Sequence, residues 1–220
     1  MPHPESPASD YSDLRSRLDS ALAARDRAGA VAIALGAVND STIGIADLYT
    51  AVLVPLLVDM GAAWQAGTTH IWQEHYTAAI VRTVVEALYP EVSRQASATA
   101  KRGERVLLAN PPQEQHDLGL RMLADRFELA GYDVTYLGAD TPTDEIIDAA
   151  RTVGATLVVL SASTHFNRVQ LRTFVARIRA GLPGVRIGVG GPAFAMDRDW
   201  PADELLNPAA LGLPGSTGGA

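Results

Sequence analysis

The chain of 220 residues contains no cysteine, which excludes disulfide bonds and thiolate metal sites. Basic residues are also scarce. Lys and Arg number 18 against 25 Asp and Glu, which gives a formal net charge of −7. No cluster of Lys and Arg offers a face that could neutralise phosphates, so nucleic acid is not expected as a direct partner.

No signal peptide is expected, because residues 1–10 are polar and carry no apolar core. The most apolar stretch, residues 43–64, includes Asp47 and Asp59 and is predicted to be a buried helix, not a membrane span. We therefore expect a cytoplasmic protein that does not act in a membrane.

What the chain does contain is enough apolar sequence, 47% of its residues, for globular domains. Residues 11–90 show helical spacing of Ala, Leu and Val and are predicted to form a helical cap domain. Residues 91–103 are small and polar and are predicted to be a linker. Residues 104–207 are predicted to form a second domain, and 1–10 and 212–220 to be flexible tails.

The first domain is predicted to be a four-helix bundle with antiparallel neighbours. The predicted helices cover residues 11–28, 30–38, 45–66 and 69–89.

The second domain alternates short apolar runs with amphipathic stretches, which is typical of a flavodoxin-like (Rossmann-type) parallel sheet covered on both faces. Strands are predicted at 105–109, 133–137, 156–160 and 185–189, and helices at 117–130, 141–153 and 168–180. Such sheets bind ligands at the carboxyl ends of their strands.

Polar and glycine residues collect at those strand ends. His116 follows the first strand, and Glu114 can accept one of its ring N–H groups, which would fix the tautomer of a metal-binding imidazole. Gly119 would let a bulky ligand approach closely. A loop histidine alone is most often a surface residue, and a Gly-Gly pair such as Gly190-Gly191 most often a tight turn. Their coincidence at one sheet edge favours a cofactor site.

These residues carry a resemblance to cobalamin-binding domains, whose signature is Asp/Glu-x-His-x-x-Gly, a Ser-x-Leu-type strand end and then Gly-Gly. The corresponding strings here are Glu114-Gln115-His116-Asp117-Leu118-Gly119, Ser161-Ala162-Ser163 and Gly190-Gly191. The resemblance implies that His116 is the lower axial ligand of cobalt. The other residues it implies as cobalamin contacts are Glu114, Gln115, Asp117, Leu118, Gly119, Leu137, Ser161, Ser163, Gly190 and Gly191. The chain departs from the pattern after residue 195, where no fifth strand and helix are evident.

A motif in the helical first half resembles one particular group of cobalamin-binding proteins. Trp64 is followed after nine residues by Glu74-His75, a spacing that resembles the light-sensing adenosylcobalamin receptors of the CarH type. The resemblance implies that Trp64 walls the adenosyl group and that Glu74 and His75 make polar contacts with it. The alternatives are core packing for Trp64 and a solvated helix face for the pair. Gln65 stands where that family can have a cobalt-capturing histidine, so weaker trapping of the light state is predicted.

The predicted function is a non-enzymatic light sensor that binds adenosylcobalamin. Family members of this type usually carry a DNA-binding module before the cap. Here only about ten polar residues precede the cap, so the chain is expected to be a sensor without its own DNA-binding module. Its signal is then expected to pass through a homo-oligomer or a regulatory protein partner. One alternative is a corrinoid protein that carries a methyl group for a methyltransferase. Another is a nucleotide-binding flavodoxin-like domain, but Pro111-Pro112 stand where a phosphate-binding glycine loop would lie.

Overall fold

The computed structural model describes residues 11–195, 199–201 and 203–215. Residues 1–10 and 216–220 of the two predicted tails lie outside the described residues. The chain divides into two compact units between Tyr89 and Pro90, here called the helical unit and the sheet unit.

The predicted helical first half is confirmed, with four helical stretches among the described residues; their arrangement as an up-and-down bundle stays a prediction. The elements are α1 (Ser12–Ala23), α2 (Arg27–Asn39), α3 (Ile45–Asp47), a π-helix (Leu48–Leu53), α4 (Val54–Gln65) and α5 (Ile71–Ala98). The first helix is shorter than predicted, because Arg25 takes a left-handed conformation with φ 60°. Asp26 then begins α2 by accepting a hydrogen bond from the Gly29 N–H at 2.8 Å.

α3, the π-helix and α4 form one continuous helix, Ile45–Gln65. By length and composition alone this helix could cross a membrane, and 39% of its most apolar window is buried. Tyr49, Val52 and Leu53 face the core, whereas Val54 and Val58 are exposed. The prediction of a buried helix therefore holds for one face of it only.

The fourth helix was predicted to end at residue 89, but in the structure it continues beyond that residue. α5 runs through Pro90 to Ala98 and takes up most of the predicted linker 91–103. Leu88, Val92 and Ala96 follow one another at intervals of four residues and are all buried. A proline inside a helix costs about 3 kcal/mol, and the continued burial of this apolar stripe offsets that cost.

The sheet unit contains the predicted parallel sheet, and its strand order is β2-β1-β3-β4. Its elements are β1 (Arg105–Ala109), α6 (Leu118–Leu129), β2 (Asp133–Gly138), α7 (Thr143–Val153), β3 (Leu157–Ser161), α8 (His165–Gly181), β4 (Arg186–Gly190) and a short 3-10 helix (Pro192–Phe194). β1 lies in the middle of the sheet, and its side chains alternate between two cores. Leu107 and Ala109 belong to one, and Val106 and Leu108 to the other. The residues after β1 therefore start from the centre of the sheet edge.

The outer edge of β4 is covered by the chain after residue 200. Val189 forms an isolated parallel bridge with Leu205, in which the Val189 N–H donates to the Glu204 carbonyl at 2.7 Å. The Leu206 N–H donates in turn to the Val189 carbonyl at 2.8 Å. The segment around Leu206 packs closely on β4, because a Cβ on Gly188 would lie 2.9 Å from Leu206 Cδ1. The sequence showed no fifth strand, and the structure has a single bridged pair at this edge of the sheet.

Candidate functional site

The loop after β1 is held to the loop after β2 by backbone hydrogen bonds. The Thr141 N–H donates to the Asn110 carbonyl at 2.9 Å, and the Asp140 N–H to the Glu114 carbonyl at 3.0 Å. Asp140 also accepts the Gln113 N–H through its side chain at 2.8 Å. These bonds fix the direction in which Glu114 and His116 leave the sheet edge.

The carboxylate of Glu114 is the centre of the site, and its side chain is fully buried. Oε1 accepts the His116 N–H at 2.9 Å and lies 2.7 Å from His116 Nδ1. Oε2 accepts the Ser163 N–H at 2.7 Å and the Asn167 amide at 2.6 Å. Four donors from three separate parts of the chain therefore surround one buried carboxylate.

These donors decide the charge of Glu114. Burial raises the pKa of its carboxyl, but hydrogen bonds from His116, Asn167 and the Ser163 N–H outweigh burial and lower the pKa from 4.5 to about 2. Glu114 is therefore an anion at neutral pH, and it can act only as a hydrogen-bond acceptor.

His116 presents its ring away from the protein. Its side chain is 66% exposed although its carboxylate partner is fully buried. Because an ionised Glu114 can only accept, the ring proton of a neutral His116 lies on Nδ1 and the lone pair on Nε2. A neutral imidazole held in this way by a carboxylate is the usual form of a histidine that binds a metal.

Acid is expected to destabilise the protein through Glu114. The pKa of this carboxyl in the folded chain lies below its ordinary value, so the ionised form stabilises the fold above pH 4.5, and this contribution is lost as the pH falls towards 2. The contribution at neutral pH is roughly 3 kcal/mol. Urea unfolding of the wild type and of Glu114→Gln should show a gap in free energy that narrows between about pH 5 and pH 3.

A matched control is Glu91→Gln. Hydrogen bonds from Arg94 and Gln95 also lower the pKa of Glu91 to about 2, but this surface pair is screened by salt. In high salt, Glu91→Gln should follow the wild type over the whole pH range. A constant gap between Glu114→Gln and the wild type would contradict the assigned role of Glu114.

Most other residues predicted from the sequence lie around the same sheet edge, but several have structural reasons to be there. Leu118 is buried, Leu137 packs against one of the cores, and Asp117 accepts the Tyr136 hydroxyl at 2.9 Å. Ser161 is buried at the end of β3, and Gln115 is exposed on the loop. Ser163 contributes to the site through its backbone N–H, which donates to Glu114, and not through its hydroxyl.

The two glycines after β4 differ. A Cβ on Gly190 would make only an ordinary contact with Leu206, at 3.8 Å. A Cβ on Gly191 would lie 2.5 Å from the Ala162 carbonyl oxygen and 2.6 Å from Ser161 Oγ, and its φ is 106°. Packing of the ends of β3 and β4 therefore explains Gly191 without a ligand.

For Gly119, no contact within the protein explains why the residue is glycine. It lies in the first turn of α6, and a Cβ built there would meet no atom within 4 Å. Its conformation is also not one that requires glycine. A free backbone at this position fits the close approach of a bulky ligand, as predicted from the sequence.

Gly119→Ala is accordingly expected to separate stability from binding. Alanine within a helix stabilises the chain by about 0.5–1 kcal/mol relative to glycine, whereas a methyl group at a ligand contact weakens binding. Thermal unfolding of the cofactor-free protein and equilibrium dialysis with cobalamin measure the two effects. Unchanged affinity would show that the ligand does not reach Gly119.

Sequence reasoning missed two asparagines. Asn167, in the first turn of α8, is buried and donates to Glu114 as described. Asn110, directly after β1, is fully buried, yet neither its side-chain oxygen nor its nitrogen has a hydrogen-bond partner in the described protein. Buried unpaired amides are costly and are commonly explained by water or a ligand. The only sequence signals were positional: Asn110 directly follows β1, and Asn167 directly precedes the helix predicted at 168–180.

The residues present fit a cobalamin. An imidazole nitrogen is a suitable ligand for cobalt, and Glu114 fixes the tautomer in which Nε2 carries the lone pair. Gly119, three residues after His116, leaves open space where a Cβ would stand, and Asn110 supplies an unpaired amide directly after β1.

The predicted residues of the helical unit are described by themselves. Trp64, near the end of α4, is 45% exposed and so is not a core residue. Glu74 and His75 lie in the first turns of α5, where Glu74 Oε2 is 3.5 Å from His75 Nε2. The pair is thus a polar patch on the start of a helix, with His75 the more exposed member.

Each of the two units is matched by a protein-family model. A B12 binding domain model matches residues 104–207, and a second model, also described as a B12 binding domain, matches residues 14–89. The first match contains the Glu114–His116 pair, and the second contains Trp64, Glu74 and His75.

Curated relatives fall into two groups. The HTH-type transcriptional repressor CarH of Myxococcus xanthus is 32% identical over 146 residues, which are 66% of this chain and 47% of that protein. Trimethylamine corrinoid protein 1 of Methanosarcina mazei is 24% identical over 151 residues, 67% of each chain. The chain thus spans about half the length of the CarH relative.

Among solved structures, the monomethylamine corrinoid protein of Methanosarcina barkeri superposes with a TM-score of 0.73. It is 18% identical, and the match covers 86% of this chain and 89% of that one. At this identity the likeness establishes the fold. The two family models, which match residues 14–89 and 104–207, show that the chain contains B12 binding domains in both units.

Proposed function

We propose that this protein is a light sensor that binds adenosylcobalamin and whose conformation, assembly or partner binding changes when the cofactor is photolysed. The observation that carries the proposal is the exposed indole of Trp64, which core packing does not explain. The Trp-x9-Glu-His spacing supports it, because the family that this spacing resembles is the CarH type and a repressor of that name is a relative.

The residues of the chain have separate tasks in this proposal. His116 would bind the cobalt through Nε2, and Glu114 would hold its ring in the required orientation. Trp64 would shield the adenosyl group from water, and Glu74 would accept hydrogen bonds from its ribose hydroxyls. Adenosylcobalamin, when bound, supplies a cobalt–carbon bond that green light breaks. The output is expected to pass through self-association or a regulatory protein partner.

A second candidate is a corrinoid protein that carries a methyl group for a methyltransferase. The fold match to the monomethylamine corrinoid protein and the relative among trimethylamine corrinoid proteins favour it. A methyl group offers no hydroxyls, so this function gives Glu74 no partner and needs no large aromatic wall.

Illumination of the loaded protein separates the two functions. The purified chain is incubated in the dark with adenosylcobalamin or methylcobalamin, freed of unbound cofactor and analysed by absorption and size-exclusion chromatography before and after green light. The sensor is expected to retain adenosylcobalamin and to change its elution on illumination. Preferential retention of methylcobalamin, with elution unaffected by light, would establish the carrier instead.

The helical unit provides a matched pair of variants for this test. Trp64 and Trp72 are 45% and 49% exposed, so alanine at either opens no large core cavity. Trp64→Ala is expected to weaken adenosylcobalamin binding about 10- to 100-fold, since covering a large apolar side chain contributes about 1.5–3 kcal/mol, and to leave hydroxocobalamin binding unchanged. Trp72→Ala, which removes a ring beside the Arg25 guanidinium, should bind both cofactors like the wild type. Equal effects of the two variants would exclude a special role for Trp64.

A further inference from the structure

We infer that Asn167 is a positioning residue for cobalt binding, whose amide holds the Glu114 carboxylate so that His116 presents Nε2 to the metal. The inference rests on the proposed binding of cobalt by His116 and is independent of the response to light. Neither the cobalamin signature in the sequence nor the domain matches assign a role to Asn167.

The two oxygens of Glu114 bind different donors. Within the described ranges, Oε1 is bound only by His116, through its N–H and its ring. Oε2 is bound there only by the Ser163 N–H and the Asn167 amide. The orientation of the carboxylate towards the imidazole is therefore set by the donors on Oε2.

Asn167 is the only side-chain donor on Oε2 among the described residues. Without it, one backbone N–H would remain on each oxygen, that of His116 on Oε1 and that of Ser163 on Oε2, and the terminal torsion of a carboxylate is broad. The Asn167 amide at 2.6 Å supplies the second bond on Oε2, which narrows the range of this torsion. Only its NH₂ group can face an anion, so the direction of the bond is defined.

Asn167 is itself held in place. It is 8% exposed, and its N–H donates to Oγ1 of Thr164, which caps the start of α8. The amide thus extends from a capped helix to a loop whose sequence position lies 53 residues earlier. In this way the start of α8 orients the imidazole on the loop after β1.

The test uses the full chain labelled with nitrogen-15 and loaded with unlabelled cob(II)alamin. In electron paramagnetic resonance, a labelled histidine nitrogen splits each cobalt line into two, whereas the cofactor's own benzimidazole splits it into three. The wild type is expected to show two-line splitting. Asn167→Ala should lower the share of that signal to about half or less and weaken cobalamin affinity about tenfold, as other residues that orient metal-bound histidines do.

Three further proteins complete the test. Asn167→Ser, which keeps a short donor, should lie between Asn167→Ala and the wild type, and it gives a second reading if the alanine variant does not fold. Asn167→Asp, which sets a second carboxylate against Glu114, should lose the histidine signal most. Gln170→Ala, on the same helix, should behave like the wild type in both measurements, and thermal unfolding without cofactor records any loss of stability.

The inference is overturned if Asn167→Ala and Asn167→Asp bind with wild-type affinity and retain the two-line signal. It is also overturned if only the unfolding temperature changes, because Asn167 would then be merely structural. A wild type that shows three-line splitting, or takes up no cobalamin, would remove the ligand role of His116 and with it this inference. Loss of the light response with the two-line signal intact would instead affect only the proposed function.

Discussion

His116→Ala is expected to weaken cobalamin binding by about 100-fold or more and to abolish the histidine signal in the spectrum of the bound cofactor. Loss of a residue that merely orients a metal-bound histidine typically costs 10–100-fold in affinity, so loss of the ligand itself should cost at least as much. The fold should survive, because the side chain is 66% exposed and its removal leaves no cavity.

The same variant leaves Glu114 with backbone donors from residues 116 and 163 and with the Asn167 amide. Its charge therefore stays satisfied, and unfolding temperatures close to the wild type are expected. His165→Ala, which removes an exposed histidine from the first turn of α8, is the control for nonspecific loss of an imidazole. Equilibrium dialysis with hydroxocobalamin measures the affinities, and equal affinity of His116→Ala and the wild type would refute cobalt ligation by His116.

Gly191→Ala is expected to destabilise the chain by about 2–4 kcal/mol, a large loss of stability for a single methyl group. Two costs combine. A φ of 106° disfavours any side chain, and the added Cβ would meet the Ala162 carbonyl oxygen at 2.5 Å. That oxygen also accepts the Ala193 N–H at 3.1 Å, so it cannot move away without breaking a bond. Urea unfolding of the cofactor-free protein measures the loss.

Gly184→Ala separates the two costs. Its φ of 89° is similarly unfavourable, but a Cβ there would meet nothing within 4 Å. It should therefore lose only about 1 kcal/mol. Equal losses in the two variants would mean that the close approach at Gly191 relaxes freely and that backbone conformation alone requires glycine there.

The parallel sheet could be predicted because its signals are local. Each strand is a short apolar run and each helix has its own period, so the order of elements along residues 105–190 follows from the sequence. The length of α5 could also have been read from Leu88, Val92 and Ala96, but Pro90 and the small polar residues after it outweighed that stripe. Proline disfavours a helix only by a finite cost, and burial offset it here.

The edge of the sheet beyond β4 could not be predicted. The bridge between Val189 and Leu205 is a single pair, and Glu204 and Leu206 contribute only backbone groups to it. A pattern needs several residues to show a period, and one pair has none. The packing reason for glycine at residue 191 could not be predicted either, since the carbonyl oxygen that leaves no room for a side chain belongs to Ala162, directly after β3 and 29 residues earlier in the chain.

The sequence by itself placed Glu114 two residues before His116 on one loop, and the resemblance to cobalamin-binding domains marked this pair as the candidate cobalt site. The sequence also determined that their loop follows a buried strand. Only the tertiary structure decided how the carboxylate is held, since Ser163 and Asn167 reach it from about 50 residues away. A hydrogen bond of this kind depends on where two strands end in space, and periodicity along one chain does not record that distance.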